Sequence, residues 1–231
     1  SGLLLKTAGG GGGGPTDPDF ASVVALLHMN GADASTTFTD VKGKTFTAFG
    51  NAQIDTAQSQ YGGASGLFDG TGDYLSTSSS ADFDLFGGAF TVECWIRVSA
   101  STPADCIWHI ESASNSYLSV FVDSLAIKMY SIVAGAGGGF KITTSAISVN
   151  TWTHIALTKT GSTFTLWVNG ASGGTSTTTT YPTGNMPLYI ARSGTAATSQ
   201  DFLGWIDDFR VTKGVCRYTA GFSPTGPWPD S

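Results

Sequence analysis

The run Phe90–Val98 alternates without a break, with Phe90, Val92, Cys94, Ile96 and Val98 apolar and Thr91, Glu93, Trp95 and Arg97 between them. A period of two places each set on its own side of an extended chain, so this run reads as a long strand. One face is fully apolar and the other holds Trp95 beside charge. The pattern recurs. Thr153, Ile155, Leu157 and Lys159 alternate with Trp152, His154, Ala156 and Thr158, and the hairpin-sized spacer Thr160-Gly161-Ser162 leads into a further strand, Thr163–Val168. Asn169-Gly170 then offers the two positive-φ positions of a type I′ turn. More strands are expected around 23–28, 74–77, 107–110, 117–122, 126–130, 187–191 and 202–211, broken by Gly, Asn, Asp and Ser. So many short strands with almost no helix define an all-β fold, an antiparallel two-sheet sandwich with Phe90–Val98 central.

Composition agrees. Charged residues make up only 12% and glycine 31 of 231 positions, while 41% hydrophobic residues suffice for a real core. Residues 1–19 carry the run Gly9 to Gly14 with Pro15 and Pro18 after it, and read as a Gly/Pro-rich linker or as extended glycines packed on neighbouring chains. Residues 20–231 read as one domain. A formal net charge of −6 with 11 Lys and Arg leaves no basic stripe for phosphates, so nucleic acid is not an expected partner. No run of 18 apolar residues exists, so membrane insertion is not expected either. Cys94, Cys106 and Cys216 lack zinc or disulfide-framework spacing and read as reduced thiols, although Cys94 and Cys106 could face each other on adjacent strands.

Four motifs in order carry a resemblance: Ala25-Leu26-Leu27-His28-Met29-Asn30-Gly31; Tyr61-Gly62-Gly63-Ala64-Ser65 leading to Phe68-Asp69-Gly70-Thr71-Gly72-Asp73-Tyr74; Leu166-Trp167-Val168-Asn169-Gly170; and Gly204-Trp205-Ile206-Asp207-Asp208-Phe209-Arg210-Val211. Together they resemble the laminin-G-like, concanavalin A-like lectin/glucanase jelly-roll superfamily. The closing stretch Thr212 to Thr219 and the glycine run resemble the version found in bacteriophage tail-fibre and other virion proteins. The resemblance implies a jelly roll on the surface of a phage particle, as a homo-oligomer, with a cell-surface glycan as partner. It also implies that some members hold a structural calcium through carboxylates near the first and last strands, which here points to Asn30, Asp207 and Asp208. Relatives often have Asp where this chain has Asn30, and the amide lowers the charge such a site would offer a hard cation. Asp207 and Asp208, adjacent on a strand, are expected to face opposite sides, one of them meeting backbone or Arg210. Asp69 and Asp73 read either as Asx-turn acceptors beside Gly70 and Gly72 or as metal ligands.

Glucanases of this fold set an acid and a nucleophile about 5 Å apart on one strand. This chain has only Glu93 and Glu111, on different segments, so the motif is missing and no catalytic residue is expected. Glu93 reads as a cross-strand partner of Arg97 or a lysine on an outer strand face. His28, His109 and His154 lie in strand-like apolar runs without metal spacing and read as structural. Gly135 to Gly139, interrupted by Ala136, read as a mobile hairpin tip. For sugar binding, aromatic faces meet C–H surfaces while polar groups take hydroxyls, which makes Trp95, Trp108, Tyr117, Tyr130 and Tyr181 the candidate platform. Trp152, Trp167 and Trp205 fit core or inter-sheet positions better. The stretches 112–116, 134–139 and 172–182, rich in small polar residues, read as exposed tips. Three classes remain in view: a non-enzymatic adhesin or glycan-binding module, a structural coat or decoration component, and a glycoside hydrolase.

Overall fold

Side-chain alternation sorts these strands into two layers. The computed structural model describes residues 16–112, 115–179, 181–194 and 200–231; the glycine run expected as a linker lies outside them. In chain order the strands are β1 (Val23–Leu27), β2 (Phe38–Thr39), β3 (Thr45–Phe49), β4 (Gln53–Asp55), β5 (Ser65–Asp69), β6 (Tyr74–Ser76), β7 (Phe90–Val98) and β8 (Asp105–Ser112). There follow β9 (Ser116–Asp123), β10 (Ala126–Val133), β11 (Ala136–Ala146), β12 (Thr153–Thr160), β13 (Thr163–Val168), β14 (Ala171–Ser176), β15 (Leu188–Ile190) and β16 (Leu203–Lys213). The first sheet runs β14-β13-β12-β7-β16-β5-β4, with β1 also paired to β16; the second runs β11-β10-β9-β8-β15-β6-β3-β2. All pairings are antiparallel, and β7 is central in the first sheet, as its unbroken alternation implied.

The inward faces meet in one core that includes Phe68, Phe90, Phe164, Phe202 and Phe209, all fully buried. Each such ring withdraws apolar surface worth about 1.5–3 kcal/mol from water. The Asn169-Gly170 turn takes positive φ at both residues, 50° and 77°, as a type I′ hairpin requires. Two expected tips are strand instead: Gly137 to Gly139 lie in β11, paired with β10 beyond a turn at Ala134-Gly135, and Ala171–Ser176 form an edge strand. All three cysteines are free, and Cys94 and Cys106 sit in different sheets rather than on adjacent strands. Among the described residues no helix is long and apolar enough to cross a membrane.

The chain after β16 folds back across the outer face of the first sheet. Thr91 Oγ1 donates to the Val215 carbonyl at 3.1 Å, Phe222 N to the Gly170 carbonyl at 3.0 Å, and Trp228 is buried against Val23, Leu26 and Trp95. Asp17 joins this cover, since its N–H donates to the Ser231 carbonyl at 2.8 Å. Ordered contacts therefore begin within the stretch expected as linker.

Candidate functional site

On the second sheet no comparable segment among the described residues covers β9, β10 and β11. Alternation on β9 turns Leu118, Val120 and Val122 into the core and Tyr117, Ser119, Phe121 and Asp123 outward. On β10, Ile127 and Met129 are buried while Lys128 and Tyr130 share the outer face, and register sets Tyr130 opposite Phe140 of β11. Tyr117 and Tyr130 stack at 5.5 Å with planes 14° apart, and Phe140, 45% exposed, meets Tyr130 edge-on at 5.6 Å. These rings line a pocket of about 350 Å³ with Phe121, Ala104, Asp123 and Gln200. Lys128 bonds Asp123 at 2.8 Å and lies 4.8 Å over the Phe140 ring, so the rim carries a neutralised ion pair.

The ring contacts continue across the sheet. His109 lies 4.9 Å from Tyr117, Tyr189 5.9 Å from His109, and Tyr74 6.4 Å from Tyr189, with Phe49 stacked on Tyr74 at 4.4 Å. Burial lowers the His109 pKa despite the nearby Glu111, so the ring is neutral, sharing protons with Ser119 Oγ at 2.7 Å and Glu111 at 3.3 Å. Burial, reinforced by Tyr130, pushes the Tyr117 hydroxyl up to about 12; burial and the Glu111 charge do the same for Tyr189. Both are therefore neutral phenols at physiological pH. The centre of the band is roofed, because a Cβ on Gly194 would stand 2.7 Å from Glu111 Oε2 and 2.8 Å from His109 Nε2, and Arg192 lies 4.5 Å over Tyr74. What stays open is the Tyr117, Tyr130 and Phe140 end, suited to stacking and hydrogen bonding.

The outer face of the first sheet is wired instead. Glu93 is 0% exposed, accepts from Arg210 at 3.0 and 2.7 Å and from the Tyr218 hydroxyl at 2.7 Å, and meets His154 Nε2 at 3.2 Å. Burial alone would raise its pKa; the Arg210 charge and the bonds from His154 and Tyr218 prevail and hold it at about 2. Asp17 in turn binds Arg210 at 3.1 Å and Arg217 at 3.0 and 2.7 Å. The expected Glu93–Arg97 pair is thus corrected. The returning chain makes the outer face interior, so Glu93 needs a desolvated partner and finds Arg210.

The five platform candidates do not assemble. Tyr117 and Tyr130 come together at the open pocket. Trp108, 1% exposed, is in the core because an extra residue between Cys106 and Trp108 in the pairing with β9 turns it inward. Trp95, 8% exposed, lies under the returning chain with Tyr61 edge-on at 5.7 Å. Tyr181 stacks on Phe86 at 4.8 Å beside Phe164, away from the pocket. Conversely, Trp152 and Trp205, expected in core or inter-sheet positions, are partly exposed. The sequence reading missed Phe140, Phe121, His109 and Tyr189. Alternation with Tyr117 on β9 marked Phe121, whereas Tyr189 sits in a three-residue strand too short for a period to show.

The calcium ligands implied by resemblance also fit poorly. A bulge at Asp208, with φ 44°, breaks the alternation, and both carboxylates are buried instead of facing opposite sides. Asp207 Oδ2 accepts from the Gln60 and Tyr61 N–H groups at 2.8 and 2.9 Å, and Oδ1 accepts from Asp208 N. Burial, against these bonds, raises its pKa to about 7. Asp208 bonds His28 Nδ1 at 2.5 Å and accepts from Trp228 N at 3.3 Å, while Asn30 lies against Gly62. The Asp207 and Asp208 oxygens are committed to N–H donors, and among the described residues no three His, Cys, Asp or Glu converge on a cation position. Asp69 and Asp73 act as turn acceptors, for Thr71 N and for Asn51 N and Asp69 N. His28 is not embedded in the core but bridges Asp208 and Asp230; its bond to Asp208, against burial and with help from Asp230, raises its pKa to about 9.

Two antiparallel sheets around one core, with one outer face sealed and the other showing aromatic rings, define a concanavalin A-like sandwich. The family described as the concanavalin A-like lectin/glucanases superfamily matches residues 69–217, and the chain belongs to it. Among solved structures it is similar to domain 4 of an extracellular arabinanase from Geobacillus stearothermophilus, in complex with arabinotriose: 16% identity, TM-score 0.65, over 84% of this chain and 94% of that one. It is also similar to the binding domain of Paraclostridial Mosquitocidal Protein 1, with 16% identity, TM-score 0.64, and 84% and 49% of the two chains covered. For the binding domain of botulinum neurotoxin serotype D the values are 14%, 0.63, 85% and 49%. This chain spans about half the length of those two toxin domains. At such identities the likeness is one of fold. No curated protein matches the chain by sequence.

Proposed function

We propose that the domain is a non-enzymatic glycan-binding module that takes a sugar ring against Tyr117, Tyr130 and Phe140, displayed in several copies on a virion surface such as a phage tail fibre or decoration protein. The observation that carries the binding reading is the stacked, outward tyrosine pair with exposed Phe140 around a pocket of about 350 Å³, rimmed by Asp123 and Gln200. Rings supply faces for sugar C–H groups, and the rim offers polar atoms to hydroxyls. The arabinotriose held by the arabinanase domain makes a neutral oligosaccharide the first ligand to try. A non-enzymatic role is supported by the carboxylates. Glu93 is sealed behind Arg210, Asp123 is held by Lys128, and Glu111 lies under the roofed centre of the band, whereas a glycosidase needs two carboxyls flanking an accessible bond. The virion setting rests on the resemblance of residues 212–219 and of the glycine run. An open pocket on one head binds weakly, and repetition on an assembly would supply the avidity.

The test titrates the domain with neutral oligosaccharides, arabinotriose included, following the Tyr117 and Tyr130 ring signals by NMR. Saturable shifts that Tyr130→Ala abolishes are expected. If a multimerised form is retained by no sugar on a glycan array, or binding survives Tyr130→Ala with Phe140→Ala, the reading is overturned and the coat-component role takes its place.

A further inference from the structure

Every lysine and arginine among the described residues, except one, sets its charged end against an oxygen of the chain. Lys44, Lys128, Arg192, Arg210 and Arg217 meet carboxylates, and Lys42, Lys141, Lys159 and Lys213 meet carbonyls. Arg97 meets neither. Its guanidinium lies 4.9 Å over the Trp205 ring and has no hydrogen-bond or ion-pair acceptor among the described residues. In a chain with 17 acidic residues against 11 basic ones, a partly exposed cation left without an acceptor is conspicuous.

Its surroundings are built. Register on the first sheet sets Trp205 of β16 opposite Arg97 of β7 and Leu67 of β5 opposite Trp205. Thr153 opposes Ile96, so Trp152 stands beside Arg97 on the other side. Leu67, Trp205 and Arg97 therefore form a row across three strands, continued by Trp152 just before β12; all four are partly exposed, and Trp152 also packs on the edge of the Val23, Leu26, Trp95 and Trp228 cluster. The Trp205 ring is fixed, because its Nε1 donates to Asp55 Oδ2 at 2.6 Å. A guanidinium laid on a fixed indole loses little freedom when it binds, and its planar fork matches a carboxylate through two parallel bonds. With one Trp205 face taken by the guanidinium, the Trp152 ring is left to meet the C–H face of a pyranose.

We infer that the row Trp152, Arg97 and Trp205 is a second binding site, on the opposite sheet from the tyrosine pocket, that takes a carboxylate-bearing sugar such as a uronic acid. Arg97, laid on Trp205, holds the carboxylate, and Trp152 meets the ring. This goes beyond the neutral-sugar reading and stands or falls independently of it.

The experiment compares an oligogalacturonate with its methyl ester and with inorganic phosphate, reading tryptophan fluorescence and the Arg97 Hε resonance. The acid should bind at least tenfold more tightly than the ester and weaken with added salt. Arg97→Gln should erase that difference with the circular dichroism and Tm unchanged, Arg97→Lys should retain part of it, and Tyr130→Ala should leave it intact. Equal binding of acid and ester, no binding of the acid, or persistence of the preference in Arg97→Gln would overturn the site. Phosphate competing as well as the acid would overturn the assignment to a sugar. Loss of the preference in Tyr130→Ala would place it in the tyrosine pocket instead.

Discussion

The outer faces of the two sheets start from the same pattern and end in opposite states. On β7 the outward residues are Thr91, Glu93, Trp95 and Arg97; on β9 they are Tyr117, Ser119, Phe121 and Asp123. The first face is roofed by the chain after β16, and its Glu93 is desolvated and must be matched by Arg210, His154 and Tyr218. Among the described residues the second face is roofed over His109, Glu111 and Tyr74, and its rings at Tyr117, Tyr130 and Phe140 stay available. Coverage by a segment distant in sequence, rather than strand composition, decides which face stabilises and which can bind. Arg97 shows the boundary, since one turn of alternation beyond sealed Trp95 a side chain is again open.

The largest effect should come from breaking the covered face. Arg210→Ala leaves Glu93 a buried carboxylate without its main cation and Asp17 with Arg217 alone, and should cost about 3–5 kcal/mol in urea unfolding. A loss below about 1 kcal/mol would show that water reaches this face. Gly170→Val is next. A Cβ there would stand 1.8 Å from the Phe222 carbonyl oxygen at a φ of 77°, so the returning chain must lift as well as the turn strain, and we expect roughly 2–3 kcal/mol. An unchanged Tm would break the link between this turn and the cover.

Acid should act on the same face. Glu93 is held at about 2, below its ordinary 4.5, so the stability it contributes is present above 4.5 and is lost as the pH falls from there towards 2. His28 has the opposite sign: raised from 6.5 to about 9, it contributes fully below 6.5 and progressively less as the pH rises through 9. His28→Gln should flatten the alkaline limb of a Tm-against-pH curve and leave the acid limb unchanged. The smallest stability effect belongs to the open face. Phe140→Ser should change the unfolding free energy by less than about 0.5 kcal/mol while weakening sugar binding, and a larger loss would mean that Phe140 supports the sheet rather than a ligand.

Strand order was less legible than strand content. Unbroken alternation in β7 and β12 and the Asn169-Gly170 turn were readable because each is a local signal. Tyr117 and Tyr130 were readable for the same reason, each being one outward position in an alternating strand. Trp108 was misread because a single inserted residue before it reverses its side, and no composition marks that insertion. Glu93 was misread because its partner Arg210 is 117 positions away and its cover has no period at all. Trp152 and Trp205 were assigned to core or inter-sheet positions, whereas both lie on the outer side of the first sheet and are partly exposed.

The bond between Asp17 N and the Ser231 carbonyl, at 2.8 Å, brings the two ends of the described chain to one spot on the roofed side of the sandwich. Mechanically, a pull applied at Asp17 and Ser231 would load one small region of the roofed face, while the tyrosine pocket lies on the opposite sheet.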